Sequence, residues 1–448
     1  MHRQPDFLKN LQNELANGRL WVDRSIVLAY AIAAGLSVVA FTLLADWAFA
    51  QFERILHWQG GWAVLVWTPA CTAAIVWATR RFAPGAAGSG IPQVMAALDP
   101  AVDDTQRSRF VSLRLTVAKI VLGGAGFLAG LSIGREGPSV QVAAGVMQHA
   151  RRWLGPHSGI TGHGLLVAGG AAGIAAAFNA PLAGVVFAIE ELSRKLESRS
   201  SGLIITAIVL AGLMGVSAFG NRSYFGVIQV TRLGWDALLP GLMVVFTCGV
   251  LGGLFAKLMA ASLTGSPERM NRLRARFPVR FAAGGGLAIA VIGLVTGGAT
   301  FGAGSEAVKH MLEGHADVPS FYVTLKFIAT WLAAWCGVPG GIFAPSLSIG
   351  AGVGHNVSLL AGADIAPALI AMGMAAFLAA VTQAPLTAFI IVMEMVDGHA
   401  MVLSLMASAM LASLVSRMLA RPLYETLALY MVAGVTAPPP PDPPPPSP

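Results

Sequence analysis

Three short runs in this chain place glycines just ahead of a proline, inside or beside apolar sequence: Gly88-Ser89-Gly90-Ile91-Pro92, Gly134-Arg135-Glu136-Gly137-Pro138 and Gly340-Gly341-Ile342-Phe343-Ala344-Pro345. Proline suits the first turn of a helix, where its missing N–H would be unpaired anyway, so each run reads as a helix start. The free N–H groups at such a start carry about +0.5 charge, and several of them aimed at one point would hold an anion. Ordinary proline kinks, with glycine for close helix packing, are the plainer alternative. Moving a bare ion into low dielectric costs on the order of 20 kcal/mol in the idealised case, so donors must replace its hydration shell. A buried full positive charge would hold the ion too long, because transport needs binding weak enough to let it leave. Partial charges from helix starts, with hydroxyl donors such as Ser89 and Tyr424, meet that requirement.

Three acids stand out against this background. Ionisable residues within membrane segments are rare and usually line an ion pathway or pair with something. Glu136 sits at a helix start, and Glu190 and Glu191 follow an apolar run. Glu190 also reads as a structural helix-end acid. A different chemistry is offered by Gly130-Leu131-Ser132-Ile133-Gly134, a G-x-S-x-G pattern. A nucleophilic serine needs a strand-to-helix turn and a partner histidine, and only the distant His163, His310, His355 and His399 are on offer. An intramembrane serine protease is therefore the remote alternative. A non-transporting receptor or scaffold is a third.

The elements that must carry these residues are membrane helices. Of 448 residues, 55% are apolar and 11% charged, against roughly 25% charged in a soluble domain. A bilayer core about 30 Å thick takes about 20 apolar residues per helix, and such runs recur from Ile26 to Leu419. The first run, Ile26 to Ala48, is too long for a signal-peptide core and is expected to stay in the mature protein. Cys71, Cys248 and Cys336 lie in apolar surroundings without C-x-x-C spacing, so no disulfide, metal or cofactor is expected. The formal net charge of +7 is gathered in connections, Arg194, Lys195 and Arg199 in one and Arg269, Arg272, Arg274, Arg276 and Arg280 in another. That placement argues for cytoplasmic loops and not for nucleic acid. The two apolar segments between these clusters return the chain to the same side. Arg151 and Arg152 do not fit that count, and their side stays open. Residues 437–448 are nearly all proline and predict an extended, disordered tail.

The two halves of the membrane region look like copies of each other. Pro138 to Val146 aligns with Pro345 to Val353, identical at five of nine positions. Ala180-Pro181-Leu182 reappears as Ala384-Pro385-Leu386, with Glu190 and Glu394 each eight residues past the leucine, and Ala87-Gly88-Ser89 answers Ala303-Gly304-Ser305. Three matches in the same order indicate an internal duplication, a feature of secondary transporters whose substrate site lies at the repeat interface. These matches leave open whether the halves run parallel or inverted.

With GSGIP at 88–92, GREGP at 134–138 and GIFAP at 341–345, in this order, the chain resembles the CLC family of chloride channels and chloride/proton antiporters from its first membrane helix to Tyr424. The resemblance implies an all-α polytopic membrane protein with two inverted-topology repeats and broken helices meeting at a midplane anion site. The expected layout is a cytoplasmic segment at 1–24 and a transport domain at 25–436. Within it, repeat one covers about 25–220, repeat two about 236–420, and a final pore-lining helix starts at about 421. It also implies a homodimer, both termini in the cytoplasm, and residence in a bacterial inner membrane, with chloride and protons as partners besides the lipid bilayer. By the same carry-over Glu136 is the gating glutamate and Glu191 the inner proton-transfer glutamate. Ser89 and Tyr424 hold the central anion with the N–H groups of Ile342 and Phe343, and the backbone of Arg135, Glu136 and Gly137 forms the outer position. Lys119 matches a further family position. Nitrate-preferring plant members carry proline where Ser89 stands, so chloride is favoured, and the fluoride-exporting branch departs from GREGP. Gln93 replaces an acid common after GSGIP, with no effect expected on the anion site. The stretch after Tyr424 is too short for the paired regulatory domains of many eukaryotic members, so a short, bacterial-type member is expected. The implied function is ion transport by chloride/proton exchange and not enzymatic catalysis; a passive voltage- or pH-gated chloride channel is the main alternative.

Overall fold

The computed structural model describes residues 18–155, 158–193, 201–220, 225, 234, 237–265, 269–314 and 318–436. The basic cluster Arg194, Lys195 and Arg199, residues 1–17 of the expected N-terminal segment and the proline tail at 437–448 lie outside the described residues. Nineteen α-helices lie among the described residues. The first half contains α1 (Gly18–His57), α2 (Val64–Phe82), α3 (Ile91–Leu98), α4 (Asp104–Arg107), α5 (Leu113–Leu128), α6 (Glu136–His149), α7 (Gly162–Ala177), α8 (Pro181–Phe187) and α9 (Ser201–Phe219). The second half contains α10 (Leu238–Leu263), α11 (Arg269–Arg276), α12 (Pro278–Val295), α13 (Ser305–Glu313), α14 (Tyr322–Cys336), α15 (Phe343–Ala361), α16 (Ala366–Thr382), α17 (Pro385–Met395) and α18 (Val402–Arg417), followed by α19 (Leu423–Thr436).

Five of these helices are long and apolar enough to cross a bilayer. Their outward faces are apolar too, with Leu36, Leu43, Phe246, Leu403 and Leu414 all exposed. A surface of that kind is suited to lipid and not to water. On α1 the exposed Trp21 and Trp47 stand about 39 Å apart along a helix rising 1.5 Å per residue. That is close to the roughly 40 Å between the two interfaces of a bilayer, where tryptophan concentrates. Where one apolar face meets lipid and the other meets protein, water does not drive helices together; close packing of small residues does. A Cβ on Gly350 of α15 would stand 2.2 Å from the Gly373 carbonyl of α16, and one on Gly373 would stand 2.2 Å from the Gly350 carbonyl. In the first half Gly169 of α7 makes the corresponding close approach, 2.7 Å from the Ala144 Cα of α6.

The duplication seen in the sequence is a two-fold relation in space. Helix α6 packs on α7 as α15 packs on α16, and α7 on α9 as α16 on α18. The pairs α2 with α12, and α8 with α17, pack on each other across the two halves. At the α8–α17 contact the matched acids exchange caps. Glu190 accepts from the N–H groups of Leu386 (3.0 Å) and Thr387 (2.6 Å), and Glu394 accepts from those of Leu182 (3.3 Å) and Ala183 (2.8 Å). Each carboxylate thus satisfies the orphan donors at the start of the other half's helix. The halves are inverted, because the counterparts α3 and α13 border cavities at opposite ends of α7: Met95 and Leu98 lie with His163 at its start, and Ser305 and Lys309 with Ala177 at its end. Arg151, whose side the sequence left open, bonds Asp104 at 2.8 Å and holds that carboxyl below the ordinary range. The Asp23 carboxylate of α1 accepts from Gly155 N–H, so Arg151 and Arg152 lie at the end of the molecule where α1 begins.

Gly373→Val is expected to force α15 and α16 apart and to lower stability by about 1–3 kcal/mol or more. Loss of monodisperse protein, or a lowered unfolding midpoint in detergent, checks this; a wild-type midpoint would show that the crossing yields freely.

Candidate functional site

Backbone hydrogen bonds sew the three broken segments together. Gly134 N–H donates to the Gly341 carbonyl (2.8 Å) and Gly341 N–H to the Gly134 carbonyl (2.7 Å). Gly88 N–H donates to Val338 O (3.1 Å), and Gly340 N–H to Gly88 O (3.2 Å). The glycines permit this approach: a Cβ on Gly134 would stand 2.4 Å from Glu136 Oε2, one on Gly137 would stand 2.2 Å from Ser89 Oγ, and one on Gly341 would stand 3.0 Å from Gly137 N. The starts of α3, α6 and α15 therefore meet at one place, each beginning with N–H groups that have no intrahelical partner. Their positive ends concentrate in a dry, apolar interior.

Glu136, the first residue of α6, is 2% exposed. Its Oε2 accepts from Ala344 N–H at 3.4 Å, so its carboxylate lies over the start of α15 as well as its own helix. The preceding residue turns the other way. Arg135 forms an ion pair with Asp46 of α1, and both line a cavity of about 460 Å³ together with Glu53, Glu306 and Lys309. Ser89 Oγ and Tyr424 OH are buried beside this junction and have no hydrogen-bond partner among the described residues. The two hydroxyls are near neighbours, and a contact between them would still leave one donor without an acceptor. A buried hydroxyl left unpaired costs about 1–3 kcal/mol, so two in one place point to a missing acceptor. The Tyr424 ring is held against Phe343, centroids 5.8 Å apart, and Phe343 in turn stacks on Phe178 at 6.3 Å. Ile342 and Phe343, at the N-cap and first position of α15, are both buried.

Glu191 lies elsewhere. The chain leaves α8 through a single π-helical turn, Ala188–Leu192, a rare feature frequent at functional sites. That turn sends Glu190 into the cap of α17 and leaves Glu191 half-buried. Glu191 lines a second cavity, of about 650 Å³, with His163, Gln383, Arg417 and Glu425. The two cavities open at opposite ends of α7, a 16-residue helix about 24 Å long. Ser132, the candidate nucleophile, meets Thr330 Oγ1 at 2.9 Å in place of a histidine.

Lys119 and Gln93 stand out in the sequence without a structural role, and Lys326 and Asp46 do not stand out at all. Lys119 Nζ donates to the carbonyls of Ala86 (2.8 Å) and Gly88 (2.7 Å), bracing the turn that presents Ser89. Lys326 does the same in the other half, to Thr300 (3.0 Å) and Gly302 (2.8 Å). Both lysines precede their helix-start glycine, Gly134 or Gly341, by the same interval, so the repeat register could have revealed the second. Gln93 closes the same turn, accepting from Gly90 N–H and donating to Ala87 O, a double role that a carboxylate could not fill. Nothing in the local sequence around Asp46 signals its pairing with Arg135.

A family model described as voltage gated chloride channel matches residues 71–417. The chain belongs to the CLC family. Its fold is that of solved CLC proteins: a slow cyanobacterial Cl⁻/H⁺ antiporter at 25% identity and TM-score 0.77, covering 92% of this chain and 98% of the other. A CLC-type fluoride/proton antiporter matches at 20% identity and TM-score 0.73, over 91% of this chain and 98% of the other. A eukaryotic CLC transporter matches at 23% and 0.71, over 92% and 74%. As a CLC member with membrane-length apolar helices, the chain is an integral membrane protein of a transporter family.

Lys119→Met is expected to strip the donors from two buried carbonyls at a cost of roughly 1–3 kcal/mol for each group left unsatisfied. A lowered unfolding midpoint in detergent checks this, and wild-type stability would mean that water takes over both bonds.

Proposed function

We propose that the chain exchanges chloride for protons across a bacterial cytoplasmic membrane, with Glu136 as gate and Glu191 as the inner proton-transfer group. Chloride occupies a central position held by the Ser89 and Tyr424 hydroxyls with the N–H groups of Ile342 and Phe343. An outer position is formed by the backbone of Arg135, Glu136 and Gly137. The chain works as a homodimer with both termini cytoplasmic, in keeping with its family and with the basic connections. The observation that carries the reading is the Glu136 carboxylate, buried against the start of a neighbouring helix beside two buried hydroxyls that lack an acceptor.

The chemistry follows from competition for one set of donors. Ionised, Glu136 is itself an anion held by the amides that would hold chloride, so it blocks the path. Protonated, it loses that attraction and chloride takes the vacated place. One side chain thereby links proton and anion movement. Glu191 sits on the other cavity and serves protons without touching the anion. The similarity at 25% identity to a protein described as a Cl⁻/H⁺ antiporter supports exchange, as does an acid at position 191.

The deciding experiment records chloride and proton movement together in reconstituted liposomes. A chloride gradient should drive protons uphill; chloride current without proton movement would leave a passive channel. Glu136→Gln is expected to abolish proton movement, keep passive chloride flux and remove most of its pH dependence. Wild-type coupling in that variant would sink the mechanism. Glu191→Gln is expected to spare chloride flux while coupled proton movement vanishes, and normal proton pumping by it would remove Glu191 from the path. Tyr424→Ala deletes one hydrogen bond to a charged ligand, worth about 1.5–3 kcal/mol, so calorimetric chloride affinity should fall on the order of tenfold or more. Ser89→Pro should shift preference from chloride toward nitrate.

A further inference from the structure

The outer cavity holds a charge arrangement that the exchange mechanism does not use. Arg135 directly precedes Glu136, and its side chain is 10% exposed, so its charge acts on Glu136 through protein more than through water. Asp46 reaches it from α1 and is itself 61% exposed, at the cavity. The guanidinium is therefore directed toward the cavity wall by a solvent-accessible carboxylate. The remaining charged groups around the cavity are Glu53 of α1 and Glu306 and Lys309 of α13, and the latter two bond each other at 2.9 Å. In the buried interior Lys119 of α5 and Lys326 of α14 donate to backbone carbonyls, and the Tyr424 hydroxyl of α19 is buried beside the junction of the helix starts. Asp46 contacts Arg135 at the mouth of the site.

We propose that Asp46 is a positioning residue for the outer gate: by holding and offsetting Arg135, it sets the acidity at which Glu136 releases the path. The sign is fixed by electrostatics. With Asp46 ionised, the positive charge beside Glu136 is partly cancelled and drawn toward the cavity, so the ionised, blocking form of Glu136 receives less support. Removing the Asp46 charge restores the full field of Arg135 and deletes a nearby negative charge. Both changes favour ionised Glu136, so more acid is needed to open the path. This inference rests on the gating role proposed for Glu136.

Chloride flux into liposomes, measured against external pH, tests it in wild type, Asp46→Asn, Asp46→Glu and a Glu136→Gln background. Asp46→Asn is expected to move the pH of half-maximal flux downward by on the order of half a unit or more, and Asp46→Glu to return it toward wild type. In the Glu136→Gln background the Asn substitution should leave the pH profile unmoved, an outcome a merely structural role would not produce. Asp46→Ser supplies the same charge deletion should the Asn variant not be recovered. If wild type and Glu136→Gln behave as proposed but the Asp46→Asn profile superimposes on wild type, the positioning role falls and the gating role stands. A shift of equal size in the Glu136→Gln background also overturns it. If Glu136→Gln keeps proton coupling, the gating role itself falls.

Discussion

Two helix starts from opposite halves of the molecule face each other across a pair of backbone hydrogen bonds between Gly134 and Gly341. Each start carries a partial positive charge, so bringing them together in an apolar interior is unfavourable unless something negative lies between them. Here the Glu136 carboxylate fills that place, over the first amides of α15. The same electrostatics that makes the junction costly when empty is what the proposed anion site would draw on. The missing side chains at Gly134, Gly137 and Gly341 let the backbones come close enough for this to happen, since a Cβ at any of them would strike the opposite segment or a site atom.

The rest of the interior can be understood as support for that junction. Lys119 and Lys326 tie down the turns before α3 and α13 through carbonyl oxygens. Glu190 and Glu394 cap each other's half, and the Gly350–Gly373 crossing locks α15 to α16. Charges in a low-dielectric interior are costly unless paired or hydrogen-bonded, and most of those buried here have close, well-formed partners. Glu136 differs, because its bond to Ala344 is 3.4 Å long and lies at the weak end of hydrogen-bond geometry.

Much of this was legible in the sequence because lipid imposes strict conditions on backbone. Apolar runs of membrane length gave the helical class, and glycine–proline pairs within them gave the starts of α3, α6 and α15 where the structure has them. The duplication was visible as matched motifs, and it extended to Glu190 and its counterpart Glu394, which cap each other's half in keeping with the structural reading of Glu190. The site residues were legible only as separate motifs. Ser89, Glu136, Phe343 and Tyr424 lie far apart in the chain, and their convergence follows from the inverted packing of two halves.

The sequence by itself therefore determined which backbone segments must break within the membrane, because glycine and proline act locally through φ, missing Cβ atoms and a missing N–H. It also determined that the halves are copies. Matched motifs are indifferent to direction, so the inversion, which the family resemblance implied, is seen directly only in the tertiary structure. That structure also shows where the neighbouring acids go, Glu190 into a cap and Glu191 onto a cavity, because a single π turn rotates one away from the other. The pairing of Arg135 with Asp46, 89 positions apart, belongs to the same class. Long-range ion pairs are set by where whole helices come to rest, and no local residue pattern encodes that.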